Sequence, residues 1–194
     1  ADRMAGASMK DIKLRIRSVE STKQITSAMQ LVAGSKLRRA RQRMEDTRPY
    51  MTSTRQIVGD IAAHRDVESP FFNEAADNKM CVVVIAGDRG LAGHYNAAVF
   101  KIADELINGE SVVLPIGKKA VDFFKARGIP LLTESSADAA DVTVGDCFHI
   151  AKQLAKAYLA EAFDEIRVAS TTFVSVLSQN PSSLQKLPLV QHKG

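Results

Sequence analysis

The densest set of groups capable of chemistry lies in Gly87-Asp88-Arg89-Gly90-Leu91-Ala92-Gly93-His94-Tyr95-Asn96. Glycine at every third position lets the backbone turn sharply and present its N–H groups, and a helix starting after such a loop offers its N-terminus to an anion. The spacing does not match the dinucleotide-binding pattern. No Gly-Lys-Ser/Thr phosphate loop occurs anywhere, and Gly117-Lys118-Lys119 is too short a match to use. Two readings stay open: an anion-binding turn, or a tight glycine turn stabilised by Asp88 and Arg89. The second is favoured, because no catalytic partner accompanies the loop.

Other constellations are thinner. His64, His94, His149 and His192 fall on different segments without metal-ligand spacing. Asp88, His94 and Ser111 supply the residue types of a hydrolytic set, but nothing in the sequence brings them together. Met29, Met44 and Met51 recur along one stretch in the manner of packing residues. The residues therefore identify no catalytic set, no cofactor-binding set and no metal ligands.

The elements around the loop form a recognisable series. Cys81 to Ala86 is wholly apolar and rich in valine, as expected of a strand buried on both faces. Asn96 to Asn108 predicts a helix closed by Gly109, Ser111 to Ile116 a second buried strand, and Lys118 to Arg127 a helix closed by Gly128. Ile129 to Thr133 predicts a third strand and Asp138 to Thr143 a loop. Gly145 to Ala162 predicts a helix capped by Asp146, with Ile150, Leu154, Ala157 and Tyr158 facing inwards. Glu165 to Leu177 reads as a long strand, Ser178 to Ser183 as a turn through Asn180-Pro181, and Leu184 to Val190 as the returning strand. Strand and helix in alternation specify an α/β fold with a mostly parallel sheet, and the glycine loop sits where such folds place a ligand.

Ahead of this domain, Met9 to about Ile61 reads as one long helix. Steps of three and four from Ile12 reach Ile16, Val19, Lys23, Thr26, Gln30, Ala33, Leu37, Ala40, Met44, Thr47, Met51, Thr54, Val58 and Ile61 without a phase break. That is a coiled-coil seam, polar in its middle, with Ile25, Ala28, Met29, Leu31 and Val32 as a second apolar strip beside it. The length predicts a helix that projects from its domain, with a kink near Arg48 and Pro49. Twelve basic residues between Lys10 and Arg55 face four acids, so the helix is strongly basic within a chain of net charge +4. Such a surface suits an acidic protein or nucleic acid. The two cysteines read as buried thiols, and no apolar run is long enough to span a bilayer.

Two motifs together resemble one family, the gamma or central stalk subunit of the rotary proton-translocating ATP synthase. One runs from Met4-Ala5-Gly6-Ala7-Ser8-Met9-Lys10-Asp11-Ile12 through Thr22-Lys23-Gln24-Ile25-Thr26-Ser27-Ala28-Met29-Gln30-Leu31-Val32-Ala33 into Ser35-Lys36-Leu37-Arg38-Arg39-Ala40. The other is the glycine loop. Ala92 stands where a cysteine is common and His94 where a small residue is usual.

The resemblance implies a long N-terminal coiled-coil helix at 4–64, a linker at 65–79, a Rossmann-like α/β domain at 80–190 and a cut end at 191–194. It also implies that the C-terminal helix which pairs with the first is absent. It implies a non-catalytic rotor subunit without a cofactor, coupling proton flow to ATP synthesis or hydrolysis. Its partners would be the alpha and beta subunits of the catalytic ring, the epsilon subunit and the membrane c-ring. Lys23, Met29, Lys36, Arg38, Arg39, Asp88, Arg89, Gly90, Leu91, Ala92, Tyr95 and Asn96 would be partner-binding residues. The location implied is the cytoplasmic face of the bacterial inner membrane, peripheral to it, with the mitochondrial matrix side or the chloroplast as the lesser alternatives. A basic-helix nucleic-acid-binding protein and a small-molecule enzyme using the glycine loop remain the alternatives.

Overall fold

The structure, a computed structural model, describes residues 8–63, 68–72, 79–134 and 137–189. Most of the linker expected at 65–79, with His64, His192 and the end at 191–194, lies outside the described residues. The chain divides into two compact units between Val58 and Gly59.

Helix α1, Met9–Ala63, makes up nearly all of the first unit. Ser8 opens it, its carbonyl accepting from the N–H groups of Asp11 at 2.7 Å and Ile12 at 3.0 Å. The helix runs unbroken through Pro49. Proline removes one backbone donor there, and the hydroxyls of Thr47 and Thr52 donate to the carbonyls of Arg43 and Arg48 on either side. At roughly 1.5 Å rise per residue, its 55 residues extend for about 80 Å.

In the second unit, β1 (Met80–Ile85), β2 (Val112–Ile116), β3 (Glu165–Phe173) and β4 (Gln179–Leu187) form one sheet in the order β2-β1-β3-β4. β1 pairs in parallel with β2 and β3, while β4 returns antiparallel to β3. Helices α2 (Tyr95–Leu106), α3 (Lys118–Ala126) and α4 (Val144–Leu159) cover it. The period of two along β1 sorts the core: Val82 and Val84 pack with Val99, Phe100, Ala103, Ala120 and Phe124 of α2 and α3. Cys81 and Val83 turn to the other face, with Leu114, Phe163, Ile166 and Tyr158 of α4. Both faces are buried, which is why the strand is apolar throughout.

Four readings of the sequence are corrected here. Ile129 to Thr133 is not a full strand: Leu131 makes a single parallel bridge to Val113, and Pro130, lacking an N–H, cannot extend the ladder. α2 ends at Leu106 with Ile107 extended, so Gly109 does not close it; the following turn is held by Asn108, whose Oδ1 accepts from Glu110 N–H and the Ser111 hydroxyl. The cap of α4 is Thr143. Asp146 is its reciprocal partner, accepting from Thr143 N–H at 2.9 Å while its own N–H donates to Thr143 Oγ1. Finally, β3 stops at Phe173 and the chain turns at Val174 to Ser178, so Asn180-Pro181 lies inside β4. Proline is tolerated there because β4 is the edge strand.

The expectation that both cysteines are buried thiols holds for Cys81 and is corrected for Cys147. Cys81 is fully buried, and burial pushes its thiol up to about 12 against a lowering backbone hydrogen bond at Leu114; Cys147 is exposed. Only a thiolate reacts readily with alkylating reagents. A thiol reagent at mildly alkaline pH is expected to label Cys147 and spare Cys81 until denaturant is added. Mass spectrometry of the native digest checks this, and early modification of Cys81 would contradict the burial.

Candidate partner-binding surfaces

On α1, Ala62 is the one described buried residue, and Lys23, Met29, Lys36, Arg38 and Arg39 are all exposed. Met29 and Lys36 are two turns apart on nearly one face. Lys23 and Arg38 point to the other side, at about 100° per residue. These residues therefore surround the helix rather than forming one patch. Ile12, Ile16, Val19, Leu31, Val32, Leu37 and Met51 are exposed too, and the heptad seam has no covering helix among the described residues of its unit. The polar middle of the seam is partly self-satisfied: the Thr26 hydroxyl donates to the Thr22 carbonyl at 2.8 Å. Arg41 pairs with Glu45 at 2.8 Å.

The glycine loop separates into a brace and a display. Asn96, on the first turn of α2, turns its side chain back so that Oδ1 accepts from Gly87 N–H at 2.9 Å. Asp88 reaches across the C-terminal ends of the strands: Oδ1 accepts from Lys118 N–H at 3.0 Å and Oδ2 from Ala140 N–H at 3.2 Å. It thereby ties the loop to the start of α3 and to the turn before α4. Tyr95 is half-buried near Thr171 of β3, and burial raises its pKa; the buried Thr171 hydroxyl itself has no hydrogen-bond partner among the described residues. Asp88, Tyr95 and Asn96 thus hold the loop from inside, while Arg89, Gly90, Leu91 and Ala92 are exposed. Leu91 is 99% exposed and, like Gly93, has a positive φ, 63° and 57° respectively. Of the two stabilising residues expected, Asp88 supplies the brace and Arg89 faces solvent.

The other suspected constellations do not assemble. Ser111 precedes β2 at the N-terminal edge of the sheet, whereas Asp88 follows β1 at the C-terminal edge of the same parallel pair. The Ser111 hydroxyl is committed to Asn108. No group of three or more His, Cys, Asp or Glu able to hold a metal occurs among the described residues. Sequence reasoning missed Asp138 and Ala140 as the far partners of Asp88, because nothing local marks a contact across 52 positions.

The electrostatics of the brace follow. Burial pushes the Asp88 carboxyl up, but hydrogen bonds from Asp138 and from the N–H groups of Lys118, Ala139 and Ala140 outweigh it and hold the carboxyl below its ordinary 3.8. Asp138, hydrogen-bonded to Asp88, is correspondingly raised. A depressed carboxyl contributes stability above its unfolded value and loses it as pH falls through the folded one; the raised Asp138 acts in the opposite sense, favouring the fold while it keeps its proton. In Asp88→Asn, with one acceptor oxygen in place of two, the Lys118 and Ala140 amides are expected to exchange faster than in the parent at neutral pH. The gap should close as pH drops below 3.8. Amide exchange followed by NMR across pH tests this, and a gap constant with pH would refute the assignment.

With this geometry in place, the comparisons with known proteins are informative. A family model described as ATP synthase matches residues 8–194. The ATP synthase gamma chain of Ruminococcus albus is 41% identical over 189 residues, covering 94% of this chain and 66% of that protein. The gamma chain of Alkaliphilus metalliredigens is 38% identical over 192 residues, covering 97% of this chain and 66% of its own length. The chain therefore spans just under two thirds of these relatives. Among solved structures, the central stalk and c-ring of the Tetrahymena thermophila mitochondrial ATP synthase aligns with a TM-score of 0.67 at 20% identity, over 88% of this chain and 80% of that one. That likeness speaks for the fold alone. The extent of the family match and the identity to the bacterial relatives carry the assignment: the chain belongs to the ATP synthase gamma-chain family.

Proposed function

We propose that this chain acts as the central rotor subunit of ATP synthase, a non-catalytic part that couples proton flow through the membrane sector to ATP synthesis or hydrolysis. The observation that carries the reading is α1: a helix of 55 residues, basic, with apolar side chains exposed around it and a coiled-coil seam along it. Such a surface is costly to leave in water, and sheathing by other protein explains it. The occupants are a second helix on the seam and the ring of alpha and beta subunits around the pair. Met29, Lys36, Arg38 and Arg39 face that ring, Lys23 meets the second helix at the seam, and the displayed residues Arg89 to Ala92 face acidic elements of the beta subunits. The α/β unit rests with epsilon on the c-ring.

An asymmetric shaft that turns presents different faces to three like sites. Each site changes its affinity for nucleotide only through contacts that differ between those faces. No described helix is long and apolar enough to cross a membrane. Attachment at the cytoplasmic face of the bacterial inner membrane therefore runs through partner subunits. Nothing in the comparisons supports the nucleic-acid alternative.

The test is co-expression with alpha and beta subunits, then stoichiometry and ATPase assay of the product. One copy of this chain per ring supports the reading. Rings that assemble and hydrolyse ATP while excluding the chain would overturn it.

A further inference from the structure

The seam of α1 changes character partway along. Ile16 and Val19 lead into Lys23, Thr26 and Gln30, three consecutive polar seam positions, before Ala33 and Leu37 resume an apolar run. The charged member stands apart from its neighbour. The Thr26 hydroxyl donates to the Thr22 carbonyl one turn back, and so needs nothing from another helix. Lys23 has no such outlet. Glu20, three positions before it, is the one carboxylate of α1 within helical reach, and Lys23 takes part in none of the ion pairs among the described residues.

An ammonium at a core position of a coiled coil has two fates: its stem bends until the charge returns to water, or a facing carboxylate neutralises it. The surroundings of Lys23 favour the second. At about 100° per residue, Ile25 and Val32 lie nearly opposite Lys23, and both are exposed. At this level α1 therefore has apolar surface to cover on the side away from the seam as well, and a helix sheathed on both sides leaves the stem no short path to solvent. Sliding a second helix by one heptad would set the ammonium against apolar side chains without a counter-charge, so a matched pair admits one register. About a third of each bacterial relative lies outside the match, a length that exceeds the 55 residues of α1 and is enough for a helix along the whole seam.

We propose that Lys23 pairs with a carboxylate on the second helix, contributed by the part of the gamma chain outside the matched two thirds, and that this pair sets the register of the two helices. The proposal rests on the rotor reading and deepens it: Lys23 is a positioning residue, since two helices held in one register transmit torque as a unit. The test is zero-length coupling in the enzyme assembled with the gamma chain at its relatives' full length. A water-soluble carbodiimide joins a lysine amine to a carboxylate only where the two touch. Mass spectrometry of the digest is expected to show an isopeptide bond between Lys23 and one Asp or Glu of the second helix, lost in Lys23→Gln. Lys23→Glu is expected to lower proton-driven ATP synthesis at least tenfold, and Lys23→Arg to keep it near the parent rate. Replacing the linked carboxylate by lysine in the Lys23→Glu background should restore synthesis, a recovery that helix stability alone does not provide. If the chain does not enter the enzyme, the rotor reading falls and the register pair with it. If it enters, and Lys23 couples to an alpha or beta subunit or to nothing, or is acetylated as fast as in the isolated chain, the register pair alone is overturned. Failure of the charge exchange to restore synthesis also overturns it.

Discussion

Gly117→Ala is expected to destabilise the α/β unit by about 3 kcal/mol or more, a large part of the roughly 5–15 kcal/mol that holds a domain together. Gly117 has φ 91°, and a Cβ there would lie 2.1 Å from the Ala86 carbonyl oxygen and 3.3 Å from Ala139 Cβ. Neither strand end can easily step aside: Ala86 N–H donates to the Ile116 carbonyl at 2.9 Å, and Gly117 N–H to the Ala137 carbonyl at 3.1 Å. Gly128 is the control. Its φ of 68° is also left-handed but its surroundings are open, so Gly128→Ala should cost only about 1–2 kcal/mol. Denaturant titration of the two variants decides between steric clash and backbone preference, since equal losses would remove the clash from the account. Because Lys118 N–H holds Asp88 and Lys119 N–H donates to the Gly87 carbonyl, exchange across 87–93 should also quicken in Gly117→Ala alone.

How far the sequence revealed this architecture depended on whether the signal was local. Cys81 to Ala86 and Ser111 to Ile116 were legible as strands because burial on both faces leaves no polar position to obscure them. Ile129 to Thr133 looked similar in composition, but Pro130 forfeits the donor that a ladder needs, so only the bridge at Leu131 survives. In the hairpin, Asn180-Pro181 is turn chemistry by residue type, and only the sheet order shows that β4 is an edge where proline is harmless. The candidate surface divided in the same way. The heptad steps of α1 depend on neighbours three and four apart and could be counted. The division of the loop into brace and display depends on Lys118 and Ala140, which lie far along the chain. The motifs resembling the gamma family mark the loop without distinguishing Asp88, Tyr95 and Asn96 from the exposed residues between them.

Reversing charge at Lys36 and Arg38 together, as Lys36→Glu with Arg38→Glu, is expected to lower ATP synthesis by about tenfold or more while the complex still assembles. A tenfold loss corresponds to only about 1.4 kcal/mol at the step that contact with the ring assists. The helix itself gives no reason for a loss. Neither residue has a carboxylate three or four positions away; the new glutamates would instead sit three positions before Arg39 and Arg41, where opposite charges mildly support a helix. Both side chains are exposed, so no core packing is disturbed. Arg41→Ala provides the contrast, since it deletes the exposed pair with Glu45 at a cost of about 0.3–0.5 kcal/mol to the helix and leaves the two outward charges in place. Proton-driven ATP synthesis, measured beside subunit stoichiometry, separates the causes. A reversed pair that assembles and synthesises normally would remove Lys36 and Arg38 from the torque-bearing surface. A loss shared equally by Arg41→Ala would mean that helix stability, and not charge facing the ring, limits coupling.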